Sequence, residues 1–352
     1  MLAGDRRRRI PVKKIKPKNL FNILFLTVVF GLTLWSVFHG EDFAQVLNYL
    51  STAAPLYIVP SIICVLLFIA GEAVVIFYLM RALGTLVGFS HCCLYSFIGF
   101  FYSCITPSAS GGQPMQVVAM RKDKIPVAVS TVVLAIVTIT YKLVLVLIGV
   151  AVLLIRPPQM MMYLEPVESI INLGLALNIA CIAILFLLVF HPNLIRVLAE
   201  RVLNLLNRIR PFRNLQAQKD RLERILGQYQ GTAEFYRSHK HVIVNVFLLT
   251  FLQRWILFTI TWFTYRSFSL SGQSMPLITG LQAMISVAAD MLPLPGGMGI
   301  SENLFLEIFQ PIFGEDLILP GMMISRGISY YTQLLISGIM TVVASFVIKE
   351  KR

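Results

Sequence analysis

Charge is scarce in this chain. Asp, Glu, Lys and Arg together make up 13% of its 352 residues, about half the ~25% usual for a soluble globular domain. That shortage excludes a soluble enzyme carrying a single anchor, and no stretch reads as a second, soluble domain. Cysteine is also rare. Cys64, Cys92, Cys93, Cys104 and Cys181 all fall in apolar segments without metal-ligand spacing, so small buried thiols are expected rather than a disulfide framework or a metal centre. The five histidines, His39, His91, His191, His239 and His241, lie at expected helix ends or interfacial loops. No His-Glu-x-x-His, Gly-x-Ser-x-Gly or phosphate-binding Gly-Lys-Ser/Thr pattern occurs. The sequence therefore points to no catalytic residue, no metal and no cofactor.

What is plentiful is apolar residue, 57% of the chain, in several runs that reach the ~20 residues a membrane crossing needs. The fold class this implies is an all-α polytopic integral membrane protein. The net charge of +13 does not indicate nucleic acid, because the basic residues gather in short segments flanking apolar runs, as cytoplasmic loops do. The densest block, Arg6 to Lys18, has eight basic residues and no acidic one. It precedes the apolar run Leu20 to Phe38, which is long for a signal peptide and has no A-x-A-type cleavage site after it. An uncleaved first span with a cytoplasmic N-terminus is the expected form.

Basic bias then orders the rest. Residues 1–54 form the basic N-terminus, first span and an outer loop with Glu41 and Asp42 but no Lys or Arg. The second span, Pro55 to Met80, returns to a cytoplasmic Arg81, and the next basic cluster is Arg121 to Lys124. Of the 39 residues between them, only about 30, His91 to Met120, form the candidate membrane segment, too few for two crossings, which need ~40. Residues 91–120 are therefore expected to enter and return as a re-entrant hairpin, completing a first repeat over 55–155 whose last span is Pro126 to Ile155. Residues 156–190 form an outer loop and a fourth span. Residues 191–240 form a cytoplasmic linker, in which Asn193 to Lys240 carries ten basic against four acidic residues. Its leucines recur at helical spacing on either side of Pro211, predicting a cationic amphipathic pair on the inner leaflet that attracts anionic lipid. Over 241–347 a fifth span, a second hairpin at 276–313 and a sixth span repeat the order in the opposite sense, and residues 348–352 form a basic cytoplasmic tail. About six spans with two oppositely oriented hairpins make an inverted-topology repeat of the kind transporters use.

The hairpin tips are the segments Thr106-Pro-Ser-Ala-Ser-Gly-Gly-Gln-Pro-Met-Gln116 and Leu292-Pro-Leu-Pro-Gly-Gly-Met-Gly-Ile-Ser-Glu302. Proline and glycine free backbone groups there that hydrocarbon cannot satisfy, so such breaks belong where they line protein or a wet cavity. Ionisable residues fall around them. Lys142 lies 30 residues after Gly112 and Arg326 lies 29 after Gly297, while Glu72 and Arg254 precede the same glycines by 40 and 43. With Asp290, Glu302 and Glu307 these are costly inside a bilayer and mark a bundle interior or a cavity.

One reading of this set has Lys142 and Arg326 hold a phosphate group from two sides. Backbone donors would come from Gly111, Gly112, Gly296 and Gly297, and neutral hydrogen bonds from Ser108, Ser110, Gln113, Gln116 and Ser301. Glu72, Arg254, Asp290 and Glu302 are then coupling or ion-pair candidates. The competing reading joins Glu72 to Lys142, and Asp290 or Glu302 to Arg326, as ion pairs that hold the fold.

Taken as a pair, the two Gly-Gly segments resemble those of the transmembrane flippase domain in the lysylphosphatidylglycerol synthase/flippase family, also called multiple peptide resistance factors. The resemblance covers most of the chain in element order. It implies a bacterial plasma-membrane protein that moves anionic or aminoacylated phospholipid, of the phosphatidylglycerol or lysyl-phosphatidylglycerol class, between leaflets, while the charge bias places both termini in the cytoplasm. Full-length members also carry a soluble lysyltransferase domain and confer resistance to cationic antimicrobial peptides. This chain stops at Arg352, so transferase activity is not expected of it. The partners expected are membrane phospholipid and anionic inner-leaflet lipid, with self-association and a separate lipid-modifying enzyme left open and no nucleic acid. The alternatives are an intramembrane enzyme or subunit acting in lipid-headgroup aminoacylation or on polyprenyl-linked sugars, and a small-solute or ion transporter.

Overall fold

The computed structural model describes residues 53–209, 215–294, 297 and 299–348. All of them belong to one compact unit, Asp42–Arg352. The expected first span, Leu20 to Phe38, Gly296 and residues 349–352 of the basic tail lie outside the described residues. The described chain is helical, and five of its helices are long and apolar enough to cross a membrane.

The first is α1, Pro55–Ala82, which starts on a proline where a missing N–H costs nothing. A short connection leads to α2, Phe89–Ile105. α2 stops because Thr106 precedes a proline and is forced into the extended region (φ −117°, ψ 145°). The Thr106 hydroxyl then staples the break, donating to the Tyr102 carbonyl at 2.6 Å and accepting from the Gly111 N–H at 2.9 Å. Ser108 and Ala109 both take the left-handed conformation, and the chain re-enters a helix as α3, Gly112–Lys122. Glycine is required at 112, since a Cβ there would sit 2.2 Å from Ser103 Oγ and 2.8 Å from the Gly99 carbonyl oxygen.

α4, Val127–Ile155, is the second long helix. The expected loop after it is instead mostly helical. Pro158 starts α5, Pro158–Leu164, and a 3-10 turn, Glu165–Val167, leads into α6, Glu168–Phe190. The apolar run Met160 to Leu164 outweighs the charges at Arg156, Glu165 and Glu168 that read as a loop. Together they form one candidate span, the least buried of the five.

α7, Pro192–Ile209, and α8, Leu215–Ser238, follow. Residues 210–214, Pro211 among them, lie outside the described residues. α8 packs against the ends of the long helices through Leu226, Tyr229, Ala233 and Tyr236, with the Tyr236 hydroxyl donating to the Leu79 carbonyl at 2.9 Å.

α9, Lys240–Ser267, runs antiparallel to α1. Three contacts fix this: Ala54 N–H to Ser267 O at 3.0 Å, Gln253 Nε2 to Phe68 O at 2.8 Å, and Asn245 Nδ2 to Tyr78 Oη at 2.8 Å. A second broken pair follows, α10, Met275–Ala289, and α11, Ile300–Phe313, entered through Gly299 at φ +81°. The last candidate span is compound: α12, Glu315–Arg326, a π-helical turn, Gly327–Thr332, and α13, Gln333–Val347.

Because α1 and α9 are antiparallel, the pair that follows each opens toward an opposite end of the bundle. Two buried clusters reflect this. One gathers the end of α1, α2, α3, the start of α4 and α8. The other gathers α5, the start of α6, α10, α11 and α12. The tips of the two broken pairs meet between them.

Candidate functional site

Ser108, at the first tip, donates to the Leu292 carbonyl of the second at 3.2 Å. Around this contact lies a cavity of about 250 Å³, walled by α1, α2, α3, α4, α9, the second break and the π turn. The sequence candidates divide at its wall. Ser108, Gln113, Gln116, Gly297 and Ser301 line it, as do Glu72, Arg254, Asp290 and Arg326. Lys142, Ser110, Gly111, Gly112 and Glu302 do not. Glu307 is exposed on α11.

Lys142 is fully engaged behind the wall. Its ammonium donates to Asp290 Oδ2 at 2.6 Å, with Asn178 Oδ1 at 3.4 Å and the Met291 sulfur at 2.9 Å. Its side chain is only 8% exposed. The pairing therefore differs from the Glu72–Lys142 pair that the sequence suggested. Lys142 clamps the end of α10, where the helix breaks, to α4 and α6. Arg326 lies one third of the way along its compound helix rather than near an end. Its Nε donates to Glu302 Oε1 at 2.8 Å and its guanidinium sits 4.9 Å from the Tyr330 ring centroid. The second oxygen of Glu302 is buried without a hydrogen-bond partner among the described residues.

Arg254 is different. Its guanidinium lies 3.5 Å from the Tyr141 ring centroid and 4.9 Å from that of Phe68. It makes no ion pair or hydrogen bond among the described residues, and its Nε is buried and unsatisfied. The two aromatic faces hold the cation in place at the cavity wall. Across the same cavity Glu72 accepts from Gln116 Nε2 at 2.7 Å, and that amide also donates to the Tyr95 carbonyl at 3.2 Å. Gln113 Nε2 donates to Thr138 Oγ1 at 3.1 Å, so the first tip contributes only neutral groups.

Three cations and three carboxylates thus surround the cavity, and two of each are consumed in contact pairs. The remaining cation, Arg254, lines the cavity beside neutral donors, which suits an oxyanion with several acceptor oxygens. The sequence marked Arg254 as an intramembrane charge but not as the accessible one. Tyr141, adjacent to Lys142 in an apolar run, gave no signal, because a tyrosine in such a run reads as ordinary packing.

These features define a multi-pass membrane protein with an internal polar site built at two helix breaks. Over residues 22–337 the chain matches the family model described as the lysylphosphatidylglycerol synthase TM region, and it belongs to that family. A comparison with curated proteins finds no match.

Proposed function

We propose that this protein is a flippase-like transporter that passes a phospholipid headgroup through the central cavity while the acyl chains stay in the bilayer. The observation that carries the reading is Arg254, a cavity-lining guanidinium on two aromatic faces that makes no ion pair or hydrogen bond among the described residues. A phosphodiester entering there would pair with the guanidinium, and the hydroxyls and amides of Ser108, Gln113 and Ser301 surround it. Lys142 takes a positioning part, holding the broken end of α10. Phosphatidylglycerol or an aminoacylated derivative is the substrate class, as the family membership suggests.

The same reading gives the broken pairs their membrane role. With α1 and α9 antiparallel and each broken pair following one of them, α2–α3 and α10–α11 are re-entrant hairpins that dip from opposite leaflets. Together with the expected first span they complete six spans in an inverted repeat, with both termini on the basic, cytoplasmic side of a bacterial plasma membrane. Two packed tips and a shared cavity are what alternating access about a fixed midplane site requires. Transport is downhill or coupled to an ion gradient, with Glu72, Asp290 and Glu302 as candidate proton carriers.

Reconstitution into vesicles containing headgroup-labelled phosphatidylglycerol tests this. Leaflet exchange should exceed that of protein-free vesicles, Arg254→Gln should reduce it to the protein-free rate, and Arg254→Lys should retain part of it. Exchange in the Arg254→Gln protein equal to the unsubstituted rate, with the protein folded, would refute the assignment.

A further inference from the structure

Independently of what crosses the cavity, α7 has a surface that the bundle does not use. Leu194, Leu198, Val202 and Leu205 recur at intervals that place them on one stripe of a helix with 3.6 residues per turn. They are 40 to 58% exposed. Arg201 stands three residues after Leu198 and Arg208 three after Leu205, so both border the stripe on one side. Arg196 lies on another side, and all three arginines are exposed. The single carboxylate of the helix, Glu200, falls on the polar side, away from the stripe.

The position of α7 matters as much as its pattern. Only His191 separates it from the end of α6, a candidate membrane span. That junction is anchored: Val189 is buried, Phe190 and Ile195 pack on the cluster at this end of the bundle, and the Tyr229 hydroxyl of α8 donates to the Leu188 carbonyl at 3.3 Å. The helix therefore begins where the chain leaves the hydrocarbon, with no linker to carry it away from the membrane. An apolar stripe in water would be costly there, whereas at the headgroup boundary it is buried in acyl chains while the arginines reach outward to phosphate.

We propose that α7 is an interfacial helix that docks on the anionic lipid of the adjoining leaflet, the inner one by the charge bias of the linker. Charge complementarity chooses the occupant, because the stripe is bordered by arginines and the whole linker carries ten basic against four acidic residues. Since α8 ties this region to Leu79 at the end of α1 and to Leu188 at the end of α6, the surface charge of the leaflet acts on the helix ends that frame the first broken pair.

Amide hydrogen exchange of the full chain in lipid nanodiscs tests the proposal. The discs compared are phosphatidylcholine alone and phosphatidylcholine with phosphatidylglycerol. One basic residue near an anionic surface is worth about a fivefold preference, so three arginines should slow exchange of α7 by at least roughly tenfold when phosphatidylglycerol is present. The triple substitution Arg196→Gln, Arg201→Gln and Arg208→Gln should abolish the difference. The buried segment Tyr229 to Tyr236 should exchange equally in all samples, which reports that the variant is folded. Equal α7 exchange in both lipids would overturn the proposal. So would protection that survives the triple substitution, or protection that follows the number of protein copies per disc, which would identify a second copy as the occupant.

Discussion

The clamp at Lys142 can be tested by taking its charges away one at a time. In Asp290→Ala the ammonium keeps only the Asn178 oxygen at 3.4 Å and a thioether at 2.9 Å, and at 8% side-chain exposure water cannot replace the carboxylate. Breaking a buried pair by removing one partner costs about 3–5 kcal/mol. The residual contacts place this case near the lower end, about 3 kcal/mol. The converse substitution, Lys142→Met, should cost less, about 1–2 kcal/mol, because Asp290 lines the cavity and keeps solvent on one side. The double variant should recover to within about 1 kcal/mol of the unsubstituted protein, since no buried charge is left without a partner. At about 2 °C per kcal/mol for a large chain, Asp290→Ala should lower the unfolding midpoint in detergent by about 6 °C and the double variant by about 2 °C. An Asp290→Ala protein as stable as its parent, or a double variant worse than the sum of the singles, would refute the clamp. It would return Lys142 to the role of a headgroup ligand.

Glycine substitutions should separate tight from open helix surfaces. A Cβ at Gly174 would lie 2.5 to 2.6 Å from backbone atoms of Val287 and Ala288, so Gly174→Ala should destabilise by about 1–3 kcal/mol or more. Gly227 and Gly231 on α8 have nothing within 4 Å, and alanine at either should raise the unfolding midpoint slightly, by up to about 1 kcal/mol of helix propensity. Tyr236→Phe removes a buried hydroxyl bond to the Leu79 carbonyl and should cost about 1 kcal/mol, read as faster amide exchange at the end of α1.

Sequence reasoning located the breaks because their causes are local. Thr106 before a proline, two adjacent glycines, and Gly299 at positive φ act through the backbone whatever surrounds them. The starts of α4 and α9 were legible for a similar reason, since each apolar run follows basic residues, Arg121 to Lys124 and Arg237 to Lys240. Which charges pair was legible only in part: Glu302 with Arg326 was one of the pairings the sequence offered and is observed, whereas the partner of Lys142 was not. Lys142 and Asp290 are 148 residues apart, and spacing around Gly112 and Gly297 relates counterparts within repeats, not contacts between them. The π turn after Arg326 was equally invisible, because Gly-Ile-Ser-Tyr-Tyr-Thr fits an ordinary helix. Only tertiary contacts, such as the Tyr330 hydroxyl on the Cys104 carbonyl at 2.9 Å, show what the widened turn does: it brings the compound helix onto the end of α2.

The opposite signs of Glu72 and Arg254 acquire a meaning once α1 and α9 are seen to cross at Gly71, where the Gln253 side chain fills the space a Cβ would need. Each ionisable residue follows its crossing residue by one position, so the two helices present one charge each to the same cavity. Empty, the cavity is balanced without a contact pair. A phosphodiester bound at Arg254 cancels that cation and leaves Glu72 facing an anion, a cost that low-dielectric surroundings magnify. Something positive must then enter with the phosphate: a proton on Glu72, or an amine carried by the headgroup itself. For phosphatidylglycerol, which has no amine, exchange should therefore rise as pH falls, and Glu72→Gln should be pH-independent and at least as fast as the parent at high pH. An aminoacylated headgroup should behave oppositely, exchanging well at neutral pH in the parent and poorly in Glu72→Gln. Identical pH profiles for the parent and Glu72→Gln with phosphatidylglycerol would show that Glu72 carries no compensating charge, and the coupling role would then fall to Glu302, whose Oε2 has no hydrogen-bond partner among the described residues.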